Sequence, residues 1–490
     1  MFVEDNNIYI GGTNVLPEWG KYPNDVKSLS EDELREKRSN VIERIQNMFR
    51  DYLELDNVAF LFGTGSSIHL GAASIQNIPF AVEDDILDGK DKDIANDFKV
   101  YIQKMQKNVT KELEEDKVIT NSYGWKYAYD GEFYRNCDVK KRTVKGKEVE
   151  VVDEYGEIEV PLESLLNYLI ANLYVAEAEQ DNDKVARLSK LISAIKKAMF
   201  NLCDVHLRTT SGRDLERIKA KGYEDLFKKD KYIFHEKFLK SLLQRPLNLK
   251  RANIFTSNYD LAFEYAFDNI GVKYIDGFSG FHHRYFKPET FDYDIFYPGS
   301  TTSGKVQRIE KVVRYFKLHG SITWVRDHDL NASNVYGIKE LTIDLIKEKS
   351  KDSNESFDYG DLMIYPSAVK KSYTLDLPYS ELIRQFSSAI SQPQSVLFAI
   401  GYSFCDEHFN DIIYQALSNP SFTLIIVNFQ KSEKSQEIKR LRDLKDPRII
   451  ILEGNDLGDF LTFSTEMMPT FTDASSSDEV IKTLETLLNK

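Results

Sequence analysis

Short apolar runs alternate with amphipathic stretches along much of the chain. Val58 to Phe62 is continuously apolar, the pattern of a parallel strand covered by helices on both faces, and it ends in Gly63-Thr64-Gly65-Ser66-Ser67. Further runs occur at Ile254-Phe255, Val312 to Leu318, Leu362 to Tyr365, Val396 to Ile400, Leu424 to Val427 and Ile449 to Leu452, several of them followed by helical spacing. This alternation predicts an α/β fold with a doubly wound parallel sheet.

The pattern divides the chain. Residues 1–56 read as an irregular extension followed by a helix. Ser30 and Glu33 have capping-box spacing ahead of Leu34, Val41, Ile42, Ile45 and Phe49. Residues 57–83 hold the first part of the core. Between 84 and 249 the sequence turns charged and helical, including Leu165 to Leu202, with a Lys/Glu-rich alternation at about 140–160 that suggests an exposed hairpin. Its length exceeds an ordinary strand-to-helix connection, so it reads as a mostly helical insertion. The core resumes over 250–460, and 461–490 forms a tail ending in helical spacing through Val480, Ile481, Leu484 and Leu487.

Composition narrows the function classes. With 42% hydrophobic residues in 490, the chain can bury a large core. The start, MFVEDNNIYIGG, lacks a basic n-region and an apolar h-region, and no stretch has the apolar length of a membrane span. Cys137, Cys203 and Cys405 are too dispersed for a disulfide framework or a paired zinc site. A cytoplasmic protein without membrane attachment is expected. The net charge of −14 repels phosphate backbones and argues against nucleic acid as the main partner.

Small and polar residues follow the apolar runs closely: Gly63 to Ser67, Ser257-Asn258, His319-Gly320-Ser321, Ser367, Gly401-Tyr402-Ser403, Asn428 and Gly454-Asn455. Ligands of open α/β sheets bind at the carboxyl ends of strands, so this set is expected to converge on one crevice. Glycines let a backbone approach a phosphate, and a helix behind them would present free N–H groups. The loop lacks the third glycine of a dehydrogenase fingerprint, which argues against a simple NAD(P)H oxidoreductase.

Taken together and in this order, Gly63 to Ser67, Thr256-Ser257-Asn258-Tyr259-Asp260, Lys317-Leu318-His319-Gly320-Ser321 and the Gly401-Tyr402-Ser403 turn resemble the sirtuin superfamily. The resemblance implies a Rossmann-like sirtuin core that binds NAD⁺ as a substrate, with no cofactor or metal. It implies that Asn258 holds the nicotinamide ribose and positions water, and that His319 contacts the ribose hydroxyls as a base. Gly63, Thr64, Gly65, Ser66, Ser67, Ser257, Asp260, Gly320, Ser321 and Gly401 would line the substrate, and Ser403, Asn428, Gly454 and Asn455 its adenosine end.

Sirtuin deacylases carry a module with two paired CxxC ligands, which is missing from this sequence. The chain looks instead like the sirtuin-like NAD⁺ hydrolases of bacterial antiphage defence, in which the phrase Gly401 to His408 recurs in similar form. The resemblance covers about 57–80 and 250–460. It implies cleavage of NAD⁺ to nicotinamide and ADP-ribose, a homo-oligomer, and an activating partner such as a HerA-like ATPase or a nucleotide-sensing protein. An ADP-ribosyltransferase, an atypical deacylase and a non-catalytic NAD or ADP-ribose scaffold remain the alternatives.

Several of these residues also have structural readings. Asp260 suits helix capping. Asp406, Glu407 and His408 look like an acid/base cluster, but they also open a predicted helix, where acidic residues favour the positive dipole end, and the helix start is the favoured reading. His69 could face the phosphates or pack beneath the loop. His282 and His283, beside Arg284, lack a carboxylate or cysteine at ligand spacing. The cations Lys140 to Arg142, Lys145 and Lys147 read as a solvated hairpin face.

Overall fold

The computed structural model describes residues 2–23, 28–72, 78–89, 91–105, 162–297, 308–349 and 377–469, together with the backbone of short strands between Asn108 and Glu159. The apolar run Leu362 to Tyr365, Ser367, Cys137 and the tail helix through Val480 lie outside the described residues.

The principal sheet has nine strands: β1 (Asn6–Ile10), β2 (Thr13–Asn14), β3 (Asn57–Phe62), β4 (Asn253–Thr256), β5 (Lys273–Ile275), β6 (Val312–Lys317), β7 (Ser395–Ile400), β8 (Phe422–Asn428) and β9 (Ile449–Gly454). Their order is β5-β6-β4-β3-β7-β8-β9-β1-β2. Strands β3 to β9 pair in parallel, as the apolar runs predict. The chain builds outward from β3 through β4 to β6, then returns to β3's other side and continues through β7, β8 and β9. The topological switch point therefore lies between β3 and β7, where a ligand crevice is expected.

Alternation along the strands creates two cores. Val58, Phe60 and Phe62 face one, while Ala59 and Leu61 face the other. Phe60 stacks on Phe398 of β7 at 4.9 Å, and Phe255 stacks on Phe316 at 4.6 Å in the second core. Helix Glu31–Leu53 covers the first core with Val41, Ile42, Ile45, Phe49 and Leu53, and Ser30 and Glu33 form the capping box read from the sequence. Helices Tyr379–Ile390 and Glu407–Leu417 cover the second.

The start of the chain corrects one expectation. Residues expected to be irregular form β1, which pairs antiparallel with β9 from Asn6↔Gly454 to Ile10↔Ile450. With only three consecutive apolar residues, Ile8 to Ile10, this strand carries too short a pattern to be read alone.

Between the first and second core strands, helices Ile78–Asp88, Lys92–Met105, Leu162–Ala178 and Asn182–Cys203 share an apolar cluster of their own. The alternation near 140–160 forms an antiparallel pair, Val139–Val144 with Lys147–Val152. Other short strands lie between Asn108 and Glu159. A further four-stranded sheet joins Phe278–Ser279, Arg284–Phe286, Ile338–Glu340 and Trp324–Arg326. No helix among the described residues is long and apolar enough to cross a membrane.

Candidate functional site

The glycine loop leaves β3 at the switch point and meets the turn after β7. Gly63 N–H donates to Ile400 O at 3.0 Å, and Gly65 N–H to Gly401 O at 3.1 Å. A Cβ on Gly65 would lie 2.6 Å from Gly401 Cα, and one on Gly401, whose φ is +57°, would lie 2.7 Å from Gly65 Cα. Both glycines are thus required by the approach of two main chains. The loop does not open directly into an α-helix as expected. It passes through two single 3₁₀ turns, Thr64–Ser66 and Ile68–Leu70.

Strand β4 delivers Asn258 against this loop. Its Nδ2 donates to Gly63 O at 3.1 Å and lies 3.3 Å from both Ser66 Oγ and Ser67 Oγ. Its own N–H is held by Thr256 Oγ1 at 3.0 Å. With the amide nitrogen committed inward, Oδ1 is a buried acceptor without a partner among the described residues, on a side chain only 7% exposed. Buried acceptors usually have a donor.

Asp260 accepts from Ala262 N–H at 3.0 Å at the start of helix Ala262–Ile270, whose N-cap is Leu261 rather than the expected Asp260, and it also bonds the Ser67 hydroxyl of the glycine loop. Burial raises its pKa, opposed by the Lys317 ammonium. Lys317 is itself buried, bonding Glu264 Oε1 at 2.8 Å and the Asp260 carbonyl. These contacts hold the β4 and β6 strand ends together.

His319 follows β6 directly, and Leu318 N–H bonds Thr256 O at 2.8 Å across to β4. Only 6% exposed, the imidazole lies beside Tyr259 and Phe409. Its Nε2 stands 3.8 Å from Asp406 Oδ1. Asp406 is the N-cap residue of helix Glu407–Leu417, as the sequence suggests, but its side chain makes no capping bond. Its Oδ2 instead accepts from Tyr402 OH at 3.3 Å. Before it, Phe404 holds a left-handed φ of +57°, costly for an aromatic residue, and its carbonyl is tied by Asn410 Nδ2 at 2.8 Å. Sequence reasoning weighed an acid/base role for Asp406 and favoured the helix start; the structure places it at both, at the helix N-cap and beside His319.

The remaining predicted residues divide by position. Thr64, Gly65, Ser257 and Ser403 keep access to solvent around the crevice, whereas Gly63, Ser66 and Ser67 are buried beneath it. Gly320, with φ +86°, turns the chain after His319. Ser321 is fully buried, its hydroxyl 2.9 Å from Thr323 Oγ1, which lies 3.4 Å from Glu340 Oε1. Burial, reinforced by Asp276 and opposed by Arg284, pushes the Glu340 carboxyl up to about 7. Asn428 ends β8 with its Nδ2 on Gln430 O at 2.6 Å. Gly454, with φ +112°, leaves no room for a Cβ beside Asp5 O, while Asn455 is exposed. Asn6 Oδ1 accepts from Asp456 and Leu457 N–H, so β1 closes that turn.

Other histidines fall outside this group. His69 and His235 are fully buried and stacked 5.5 Å apart, so His69 packs beneath the loop. His282 and His283 are exposed at a hairpin turn.

Comparison with curated proteins gives no match. Among protein families, residues 252–445 match the SIR2-like domain, the stretch that carries Asn258, His319, Gly401, Ser403, Asp406 and Asn428.

Proposed function

We propose that the crevice between β3 and β7 binds NAD⁺ and hydrolyses its nicotinamide–ribose bond, with Asn258 and His319 as catalytic residues and Asp406 positioning His319. The observation that carries this reading is the Asn258 amide. Three loop oxygens surround Nδ2 and leave Oδ1 as the buried acceptor, suited to a ribose hydroxyl or an attacking water. The match to the SIR2-like domain supports a reaction of NAD.

In the proposed reaction the C1′–N1 bond breaks and its electron pair passes to the pyridinium nitrogen. Nicotinamide therefore leaves neutral and needs no acid. Water held by Asn258 adds its oxygen to the oxocarbenium carbon, and His319 takes the proton released, with the Asp406 carboxylate stabilising the imidazolium. The products are nicotinamide, ADP-ribose and a proton. Thr64, Gly65, Ser257 and Gly401 would border the substrate, with Ser403, Asn428 and Gly454-Asn455 toward adenosine.

Such a reaction consumes a coenzyme that every cell needs, and its proposed use is NAD⁺ depletion in bacterial antiphage defence. A homo-oligomer and an activating partner subunit belong to the same proposal. The test is NAD⁺ loss with nicotinamide release by the full chain, alone and with its partner, compared with Asn258→Ala and His319→Ala. Turnover by the parent protein and none by folded variants supports the reading. ADP-ribosylated protein or acyl-ADP-ribose would replace hydrolysis with transfer, and binding without turnover would leave a scaffold.

A further inference from the structure

At the end of the sheet opposite the crevice, two guanidinium groups engage one carboxylate and a third, that of Arg314, lies within range of their charges. Arg314 lies in β6 opposite Asn253, the first residue of β4. Arg251 Nη2 reaches Asp294 Oδ1 at 3.0 Å, and Arg308 Nε reaches Asp294 Oδ2 at 3.1 Å. Both oxygens of Asp294 are therefore engaged by other arginines. Arg314 Nε is buried without a partner among the described residues, and no salt bridge there reaches its guanidinium. Asp292, the other nearby carboxylate, is exposed to solvent. Burial lowers the Arg314 pKa; Asp294 and Asp292 oppose that shift, while Arg308 and Arg251 add to it.

Residues 298–307, which join Tyr297 to Arg308, contain no aspartate or glutamate and do contain Lys305. Arg251 also borders a small cleft of about 30 Å³ whose lining includes Arg245, Lys250 and Glu310. Arg245 is committed to the carbonyls of Leu53, Leu55 and Lys250. Positive charge is thus concentrated here in a chain whose net charge is −14. Planar guanidinium forks match phosphate oxygens, and a phosphate can accept from several of them at once.

We infer that Arg251, Arg308 and Arg314 form an anion site for a phosphate-bearing ligand, separate from the crevice. Arg314 supplies a donor, Nε, without a partner among the described residues, and Arg251 and Arg308 bring further positive charge beside it. The shared chemistry is a phosphoryl group, either free or carried on a nucleotide.

Thermal melts and calorimetric titrations of the full chain at constant ionic strength test this with inorganic phosphate, pyrophosphate and ATP, against chloride. Saturable binding of at least one phosphate compound is expected, weakened roughly tenfold or more in Arg314→Gln and unchanged in Asn258→Ala. Tighter binding of ATP than of pyrophosphate would identify a nucleotide; equal or weaker binding would identify the free anion. Arg308→Gln, which removes the other guanidinium beside Asp294, gives the same readout if Arg314→Gln does not fold. No saturable binding, or affinity unaltered in the folded arginine variants, overturns the site.

Discussion

Replacing Asp406 with Asn isolates the charge beside His319. The substitution preserves side-chain size, an acceptor for Tyr402 OH and the N-cap position, where the carboxylate makes no capping bond. What it removes is an anion 3.8 Å from Nε2. At that separation two unit charges interact by about 4 kcal/mol for an effective dielectric near 20, which is a ceiling because solvent and reorganisation reduce it. Contacts to charged groups typically contribute about 1.5–3 kcal/mol. The distance exceeds a hydrogen bond, so the lower part of that range applies, and loss of roughly 10- to 30-fold in kcat is expected. The assay is nicotinamide release at saturating NAD⁺ over a pH series, with a thermal melt to show that the variant is folded. A kcat within about twofold of the parent at every pH would refute the role of Asp406 and with it the imidazolium step.

Two further outcomes follow from the same elements. Gly401→Ala places a Cβ 2.7 Å from Gly65 Cα at a left-handed φ of +57°; together, strain and overpacking should destabilise the protein by about 2–4 kcal/mol, and an unchanged melting temperature would contradict the packing argument. Glu340, whose folded pKa is raised from 4.5 to about 7, contributes stability that is complete below the unfolded value and is lost as pH rises through about 7. Glu340→Gln should flatten that part of the melting temperature profile between pH 5 and 8, and a variant profile parallel to the parent's would reject the shift.

The parallel core was legible because both faces of its strands are covered. Val58 to Phe62 and Val396 to Ile400 contain no polar residue, which only a doubly covered strand tolerates in such a short run. The capping box at Ser30 was legible for a local reason, since both partners lie within one turn. Asn6–Ile10 was not, because its pairing depends on the exposed edge of β9, far away in sequence. The same limit hid the partner of Asp406. Its local signal, an acidic residue opening a helix, is correct, while its contact with His319 arises only when β6 and the turn after β7 are brought together. Glu340 was silent in sequence because its environment is made by Arg284, its partner on the neighbouring strand, and by Asp276, both more than fifty residues away in sequence.

The glycine loop shows how one sequence signal can serve two physical demands. Gly65 and Gly401 are needed by each other before any phosphate arrives, because their main chains meet at the switch point. The loop is then secured by Asn258 Nδ2, so this side chain both braces the crevice and presents Oδ1 to it. Loss of activity in Asn258→Ala would therefore combine a released loop with a missing acceptor. The brace itself is made by Asn258 Nδ2, which His319→Ala leaves unaltered. For that reason turnover by His319→Ala, compared with binding by the same variant, separates chemistry from construction more cleanly than any change at Asn258.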